Sequence, residues 1–117
     1  MTKFILLAVA SVALAVPAFA GDPVAGEATF KKCKACHSII GADGTEIQKG
    51  GKTGPNLFGV VGRAAASTDF AYGDSIKAAG AAGLVWDEAT LVTYLADPTA
   101  FLKDKTGDAA AKSKMTF

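Results

Sequence analysis

The sequence predicts a small all-α domain with several short helices and long loops. Apolar residues recur at helical spacing between Asp87 and Asp97, whereas no alternating strand pattern is visible in the loop-rich first half. Thirteen glycines and four prolines in 117 residues indicate many turns. A chain of this length forms one domain, and neither repeats nor a domain linker are present.

The first twenty residues are interpreted as a secretory signal rather than as part of this domain. A positive start at Lys3 precedes an apolar run from Phe4 to Val16 and the small-residue ending Ala18-Phe19-Ala20. A retained membrane anchor is the alternative, but crossing a bilayer takes about 20 apolar residues and this run is shorter. We therefore expect cleavage after Ala20 and a domain spanning 21–117 that acts outside the cytoplasm.

The charge of that domain argues against a general affinity for nucleic acid. Without Lys3 the chain carries eleven basic and eleven acidic residues, so it is formally neutral. Two cysteines outside the cytoplasm ordinarily suggest a disulfide, although their spacing here is more specific.

Helix signals divide the domain into four helical segments. Asp22 is a plausible N-cap for a first helix from Pro23 to about Ser38, and a long loop follows over 39–55. Three further helices are predicted: Asp74 to Ala82 ending at Gly83, a helix capped by Asp87 and ending before Pro98, and a short one from Pro98 to about Lys103. The tail from Thr106 is small, polar and loop-like.

Cys33-Lys34-Ala35-Cys36-His37 matches the C-x-x-C-H haem-attachment pattern. On a helix, residues three apart share a face, so both thiols can reach the two vinyl groups of one porphyrin. The adjacent His37 then turns its imidazole toward the iron, and it is the only histidine in the chain. The pattern predicts one covalent haem c with His37 as an iron ligand.

Three other sites could use the same residues. A redox C-x-x-C needs a thioredoxin-like βαβ setting, which the sequence does not show. A zinc site prefers four protein ligands, and Cys33, Cys36 and His37 supply three. A plain disulfide explains the cysteines but leaves the histidine unexplained.

Met115 is the candidate for the sixth iron position, which an electron carrier must close. It is the only methionine after the signal segment, and a neutral thioether favours ferrous iron. A lone methionine more often fills a gap in a core. The surrounding Gly/Lys/Ser-rich tail is a poor setting for a core residue.

These motifs, in this order, resemble the class I cytochromes c, particularly the bacterial periplasmic cytochrome c-two type, over essentially all of 21–117. Besides Cys33 to His37, the resemblance rests on Thr53-Gly54-Pro55-Asn56-Leu57, Gly62-Arg63, Phe70-Ala71-Tyr72, Trp86, Leu91 to Leu95 ending at Asp97-Pro98, and Lys114-Met115. It implies the small cytochrome c fold, with helices and loops wrapped around one haem.

The resemblance also implies roles for residues around the haem. The Pro55 carbonyl should accept a hydrogen bond from His37 Nδ1, and Tyr94 should lie beside Met115. Tyr72 and Trp86 should donate to a buried propionate with Arg63 nearby, although Trp86 can also be ordinary core. Ile76 departs from the polar residue often found there in the family, which alters the expected distal water network.

Family members continue past the methionine loop into a helix that crosses the first helix near Gly26 and Phe30. This chain ends two residues after Met115, so we expect a fragment. The alternative is a fold with an exposed seam at the first helix and a poorly tethered Met115.

The function implied is a monomeric, diffusible periplasmic electron carrier that is not an enzyme. Its donor would be a membrane cytochrome bc complex, and its acceptor a terminal oxidase or a photosynthetic reaction centre. Lysines around the haem edge would dock acidic partners: Lys32, Lys34, Lys52, Lys103, Lys105, Lys112 and Lys114. Scattered lysines can equally be a solvated surface. A five-coordinate haem protein that binds small gases or has weak peroxidase activity, and a thiol–disulfide oxidoreductase, are the other hypotheses.

Overall fold

The computed structural model describes residues 21–116, so the predicted signal segment 1–20 and Phe117 lie outside the described residues. Within that range the elements are α1 (Pro23–Phe30), β1 (Ile39–Ile40), β2 (Glu46–Gln48), α2 (Asp74–Ala81), α3 (Glu88–Ala96) and α4 (Pro98–Thr106). The predicted all-α class is confirmed, with one minimal sheet added. No helix in 21–116 combines the length and the apolar character needed to span a bilayer.

Helix α1 begins as predicted but ends much earlier. The Asp22 carboxylate accepts from the amides of Val24 (2.9 Å) and Ala25 (3.2 Å), and Pro23 occupies the first turn. The prediction that the helix continues to Ser38 was wrong, because it ends at Phe30 and gives way to a run of tight turns.

Part of the physical reason lies in a distant segment. The carbonyls of Lys34 and Cys36 accept hydrogen bonds from the Gly51 (2.9 Å) and Gly54 (2.7 Å) amides, respectively. A continuing helix would use these carbonyls for the amides of residues 38 and 40, so the loop competes with the helix there. At the end of α1 itself, the Lys32 and Cys33 amides form i−3 turn bonds to the Thr29 (3.1 Å) and Phe30 (2.8 Å) carbonyls.

A short hairpin occupies part of the segment predicted to be loop. Strand β1 pairs with β2 in antiparallel register, with Ile39 opposite Gln48. The connecting turn is held by Asp43, whose carboxylate accepts from the Thr45 amide (3.0 Å), and by Gly44 at φ +84°. Strands of two and three residues are too short to produce a recognisable alternation.

Helices α2, α3 and α4 confirm the predicted elements in the second half. Asp87 caps α3 and Asp97 caps α4, accepting from the Thr90 (2.7 Å) and Ala100 (2.9 Å) amides, respectively. Helix α4 reaches Thr106 rather than Lys103, and Gly107 ends it in the left-handed conformation at φ +67°.

The core lies where α4 packs against both α2 and α3. Trp86, Tyr94 and Phe101 form an aromatic cluster with ring centroids 4.9 to 6.0 Å apart. Leu102 and three alanines complete the buried set. Helix α2 approaches the backbone closely at Gly80, where a Cβ would lie 3.1 Å from the Ala65 carbonyl carbon.

Helix α1 lies apart from this core. It buries no residue, its Val24 is 76% exposed, and a Cβ at Gly26 would meet nothing within 4 Å. Among the described elements none packs against it. The seam anticipated at α1 is therefore exposed in the described part of the chain.

Candidate functional site

The cysteine motif forms a turn with accessible sulfur atoms. Cys33 is half-buried and Cys36 is exposed, and both thiols are free. Amides of Cys36 and His37 bond back to the Cys33 carbonyl at 3.1 and 3.0 Å, which fixes the turn. Both sulfur atoms are therefore available for covalent attachment to one group beside His37.

The His37 ring is buried and oriented by one backbone carbonyl. Its Nδ1 lies 2.7 Å from the Pro55 carbonyl oxygen, which can only accept, so Nδ1 donates. With Nδ1 engaged by this carbonyl, Nε2 is the ring nitrogen available to bind a metal. His37 as a whole residue is 8% exposed, so packing also restricts the orientation of its ring.

Three glycines let the loop at 50–55 reach the motif. A Cβ at Gly54 would lie 2.7 Å from His37 Nδ1, and one at Gly50 would lie 2.8 Å from the Lys34 oxygen. At Gly51 it would lie 2.9 Å from the Ala35 carbonyl carbon. The sequence reasoning missed Gly50 and Gly51, although an adjacent glycine pair is a recognisable signal of close backbone approach.

Two alternatives for the cysteines find little support in the geometry. Burial raises the pKa of the Cys33 thiol, and nearby Lys32 offsets this only in part. Less thiolate at neutral pH makes Cys33 a poor nucleophile for thiol–disulfide exchange. In the described range 21–116 no group of three or more His, Cys, Asp or Glu side chains is arranged to hold a metal ion.

Arg63 and Trp86 come together across two paired segments. The Gly62 amide bonds to the Trp86 carbonyl (2.6 Å), and the Trp86 amide bonds to the Arg63 carbonyl (2.9 Å). The Arg63 guanidinium donates to the carbonyls of Phe58 (3.0 Å) and Asn56 (3.2 Å). Trp86 is 5% exposed and belongs to the aromatic cluster, so its indole has a core role.

Tyr72 lies on a separate loop before α2. Its hydroxyl hydrogen-bonds the Thr68 hydroxyl, and its ring meets Phe70 edge-on with centroids 5.1 Å apart. No described contact joins Tyr72 to Arg63 or Trp86. Among the described residues, the structure therefore brings the Arg63 and Trp86 segments together, with Tyr72 on a separate loop.

Met115 lies at the edge of the core on the side of Tyr94. It is half-buried and packs against the buried cluster, as does Ile76. The Met115 amide donates to Ser113 Oγ (2.9 Å), which lies 3.5 Å from the Tyr94 hydroxyl. Burial raises the pKa of Tyr94, so this hydroxyl stays protonated at neutral pH.

The residues present fit a covalently attached haem. Two free thiols three residues apart and an imidazole whose Nδ1 is engaged by a backbone carbonyl match the groups that attach and bind a c-type haem. The buried apolar set of the described chain is small, at seven residues. A domain with so small a core needs a further apolar element to stabilise it.

Comparisons with known proteins agree with this assignment. Cytochrome c2 of Rhodobacter capsulatus is 59% identical over 110 residues, covering 93% of this chain and 80% of that protein. Cytochrome c-551 of Roseobacter denitrificans is 52% identical over 118 residues, covering 100% and 85%. The solved structure of the Rhodobacter capsulatus protein superposes with a TM-score of 0.81 at 58% identity, covering 83% of this chain and 84% of that one. No protein-family model matches the sequence.

The fold and the site together define a class I cytochrome c, whose cofactor is one covalent haem c. With identities of 52 to 59% over nearly its whole length, the chain belongs to the bacterial cytochrome c2/c-550 family, whose members are electron carriers.

Proposed function

We propose that this cytochrome is a diffusible one-electron carrier of the periplasm with His37 and Met115 as its two axial iron ligands. Cys33 and Cys36 would hold the haem through thioether bonds. The observation that supports this best is the turn in which two free thiols precede a histidine whose Nδ1 is engaged by Pro55. The haem supplies the electron exchange, and the protein tunes it.

The protein groups contribute ligand orientation, a closed iron site and charge compensation. Pro55 orients the imidazole through its hydrogen bond to Nδ1, and the Met115 thioether, bound to iron, would exclude small ligands and favour the ferrous state. Among residues 21–116, Arg63 uses two of its five N–H donors on backbone carbonyls, so it can also pair with a propionate. Tyr72 and Trp86 are proposed as additional propionate donors.

The proposed partners are a membrane cytochrome bc complex as donor and a terminal oxidase or photosynthetic reaction centre as acceptor. All seven lysines of the predicted docking surface are exposed. Lys105 differs from the others because it pairs with Asp104 (3.5 Å) and lies 5.4 Å from the centroid of the Phe101 ring. The remaining six lysines are proposed to carry the attraction to acidic partners.

The visible absorption spectrum of the ferric protein, produced in cells that attach haem covalently, tests the axial ligands. We expect the weak far-red sulfur-to-iron charge-transfer band in the native chain and its loss in Met115→Ala. Val92→Ala is the control, since this exposed residue of α3 should leave the band unchanged.

The alternative functions give other results in the same preparation. Attached haem without the far-red band, together with rapid carbon monoxide binding in the ferrous state, would indicate a five-coordinate gas-binding haem or a weak peroxidase. Absence of covalent haem would overturn the proposed attachment and favour thiol chemistry at Cys33 and Cys36.

A further inference from the structure

The segment that carries Met115 is held by hydroxyl groups from two different helices. From Gly107 to Thr116 it has no helix or strand, so its backbone amides need other partners. The Lys112 amide donates to Ser75 Oγ at 3.0 Å, across 37 residues of sequence. The Ser113 amide donates to Thr99 Oγ1 at 3.1 Å.

These two bonds connect consecutive residues to separate helices. Ser75 lies in the first turn of α2 and Thr99 in the first turn of α4. Ala111, just before them, is 2% exposed and anchors the segment in the core. Just after them, the Met115 amide donates a hydrogen bond to Ser113 Oγ. The path from the buried Ala111 to Met115 therefore depends on Ser75, Thr99 and Ser113.

We propose that Ser75 and Thr99 are positioning residues that keep Met115 at the iron by restricting local opening of the segment 111–115. This inference rests on the proposed axial role of Met115. Opening of the segment frees the sixth iron position for small nitrogen donors such as imidazole. The two hydroxyls thus set how strongly this carrier excludes external ligands.

Local opening is the expected response to losing either hydroxyl. The Lys112–Ser75 bond is exposed, so the freed amide can be hydrated and global folding changes little. The Ser113–Thr99 bond is partly buried, so its loss should have the larger effect. In the described structure these hydroxyls bond to the Lys112 and Ser113 amides rather than to the cysteine turn or Pro55, so haem attachment should not change.

Imidazole titration of the ferric holoprotein tests the proposal in Ser75→Ala and Thr99→Val. One intramolecular hydrogen bond typically corresponds to a factor of about 3 to 10 in an equilibrium. Each variant should bind imidazole tighter by about that factor, and the far-red band should disappear at correspondingly lower imidazole concentration. Ser75→Thr and Thr99→Ser keep the hydroxyl and should restore the native affinity.

Matched controls separate this effect from general loss of a hydroxyl. Ser67 and Thr93 are exposed, and their hydroxyls bond only to the nearby Ala64 and Ala89 carbonyls in the described structure. Ser67→Ala and Thr93→Val should therefore bind imidazole as the native chain does. Denaturant unfolding followed by far-UV circular dichroism should show cooperative unfolding for every variant, with a folding equilibrium constant lowered by no more than the same factor of about 3 to 10.

Two results would overturn the inference in distinguishable ways. If the native protein shows the far-red band but Ser75→Ala and Thr99→Val bind imidazole as the controls do, the positioning role fails while the axial role stands. If the native protein lacks the band and Met115→Ala binds imidazole no more tightly, the axial role fails and the positioning role fails with it.

Discussion

The orientation of the His37 ring depends on one hydrogen bond to a backbone carbonyl and on the lack of a Cβ at Gly54. The Pro55 carbonyl oxygen accepts a hydrogen bond from His37 Nδ1 at 2.7 Å, and Gly54 leaves the space that the ring occupies. A methyl group at Gly54 would lie 2.7 Å from Nδ1, closer than a side chain tolerates. The proline and the glycine before it therefore act together on one imidazole.

Gly54→Ala should displace the His37 ring and weaken its bond to Pro55. Since a weakened bond leaves the imidazole less firmly oriented, we expect a lower yield of correctly ligated haem and a shifted reduction potential. The measurements are haem per protein from the reduced absorption spectrum and the potential from redox titration.

Gly26→Ala is the matched control because a Cβ there meets nothing within 4 Å of the described chain. Alanine in place of glycine inside a helix stabilises by about 0.5 to 1 kcal/mol. This variant should keep native ligation and potential, with unfolding shifted to slightly higher denaturant. Equal effects of the two substitutions on the potential would contradict the specific role of Gly54.

At the scale of elements, α3 is defined at its start by a reciprocal cap. Asp87 accepts from the Thr90 amide at 2.7 Å, while the Thr90 hydroxyl accepts from the Asp87 amide at 2.8 Å. Hydrogen bonds from Thr90 hold the pKa of Asp87 below its usual range. The carboxylate is therefore a titratable part of the helix start.

Asp87→Asn should reduce the loss of stability on acidification. A carboxyl whose folded pKa is lowered stabilises the fold above its unfolded pKa, near 4, and this contribution is lost as pH falls through the folded value. Asparagine caps equally well but does not titrate in this range. The free energy of unfolding of the native chain, relative to Asp87→Asn, should therefore decrease between about pH 5 and pH 3.

Chemical denaturation at several pH values measures this difference. Thr90→Val removes the hydroxyl that hydrogen-bonds to Asp87. In that background the pH dependence attributable to Asp87 should therefore be smaller. A difference between the native chain and Asp87→Asn that stays constant over this pH range would contradict the titrating cap.

Local signals explain which elements the sequence could predict. Asp22, Asp87 and Asp97 precede their helices directly, and those three helix starts were predicted correctly. The replacement of helix by turns after Phe30 was not predictable in the same way, because carbonyls of those turns bond to the Gly51 and Gly54 amides, a loop away. Contacts between distant segments leave no periodic pattern in the sequence.

The same contrast applies to the candidate site. The cysteine motif, His37 and Met115 are recognisable by residue type and order alone. The hydroxyls of Ser75 and Thr99 are ordinary helix-start residues in the sequence, and their bonds to the amides of Lys112 and Ser113 emerge only in three dimensions. Gly50 and Gly51 carried a usable signal, since paired glycines before Gly54-Pro55 indicate close packing.

At the scale of the whole molecule, a formally neutral domain can still attract an anionic partner through an uneven distribution of charge. Residues 21–117 carry eleven positive and eleven negative side chains. Lys34 lies within the cysteine turn and is exposed, whereas Lys105 is engaged with Asp104 and the Phe101 ring. The positions of the charged side chains, rather than the net charge of the domain, should determine how fast a partner associates.

Lys34→Glu and Lys105→Glu separate the effect of charge position from the effect of net charge, because each changes the formal charge by two units. We expect Lys34→Glu to slow oxidation of the ferrous protein by hexacyanoferrate(III) by about 3- to 10-fold at low ionic strength, and Lys105→Glu to slow it much less. The difference should shrink as salt shortens the Debye length to about 3 Å at 1 M. Stopped-flow kinetics across ionic strength measures both rates. Equal slowing would mean that net charge alone governs the encounter, and a positive docking surface around the cysteine turn would then be excluded.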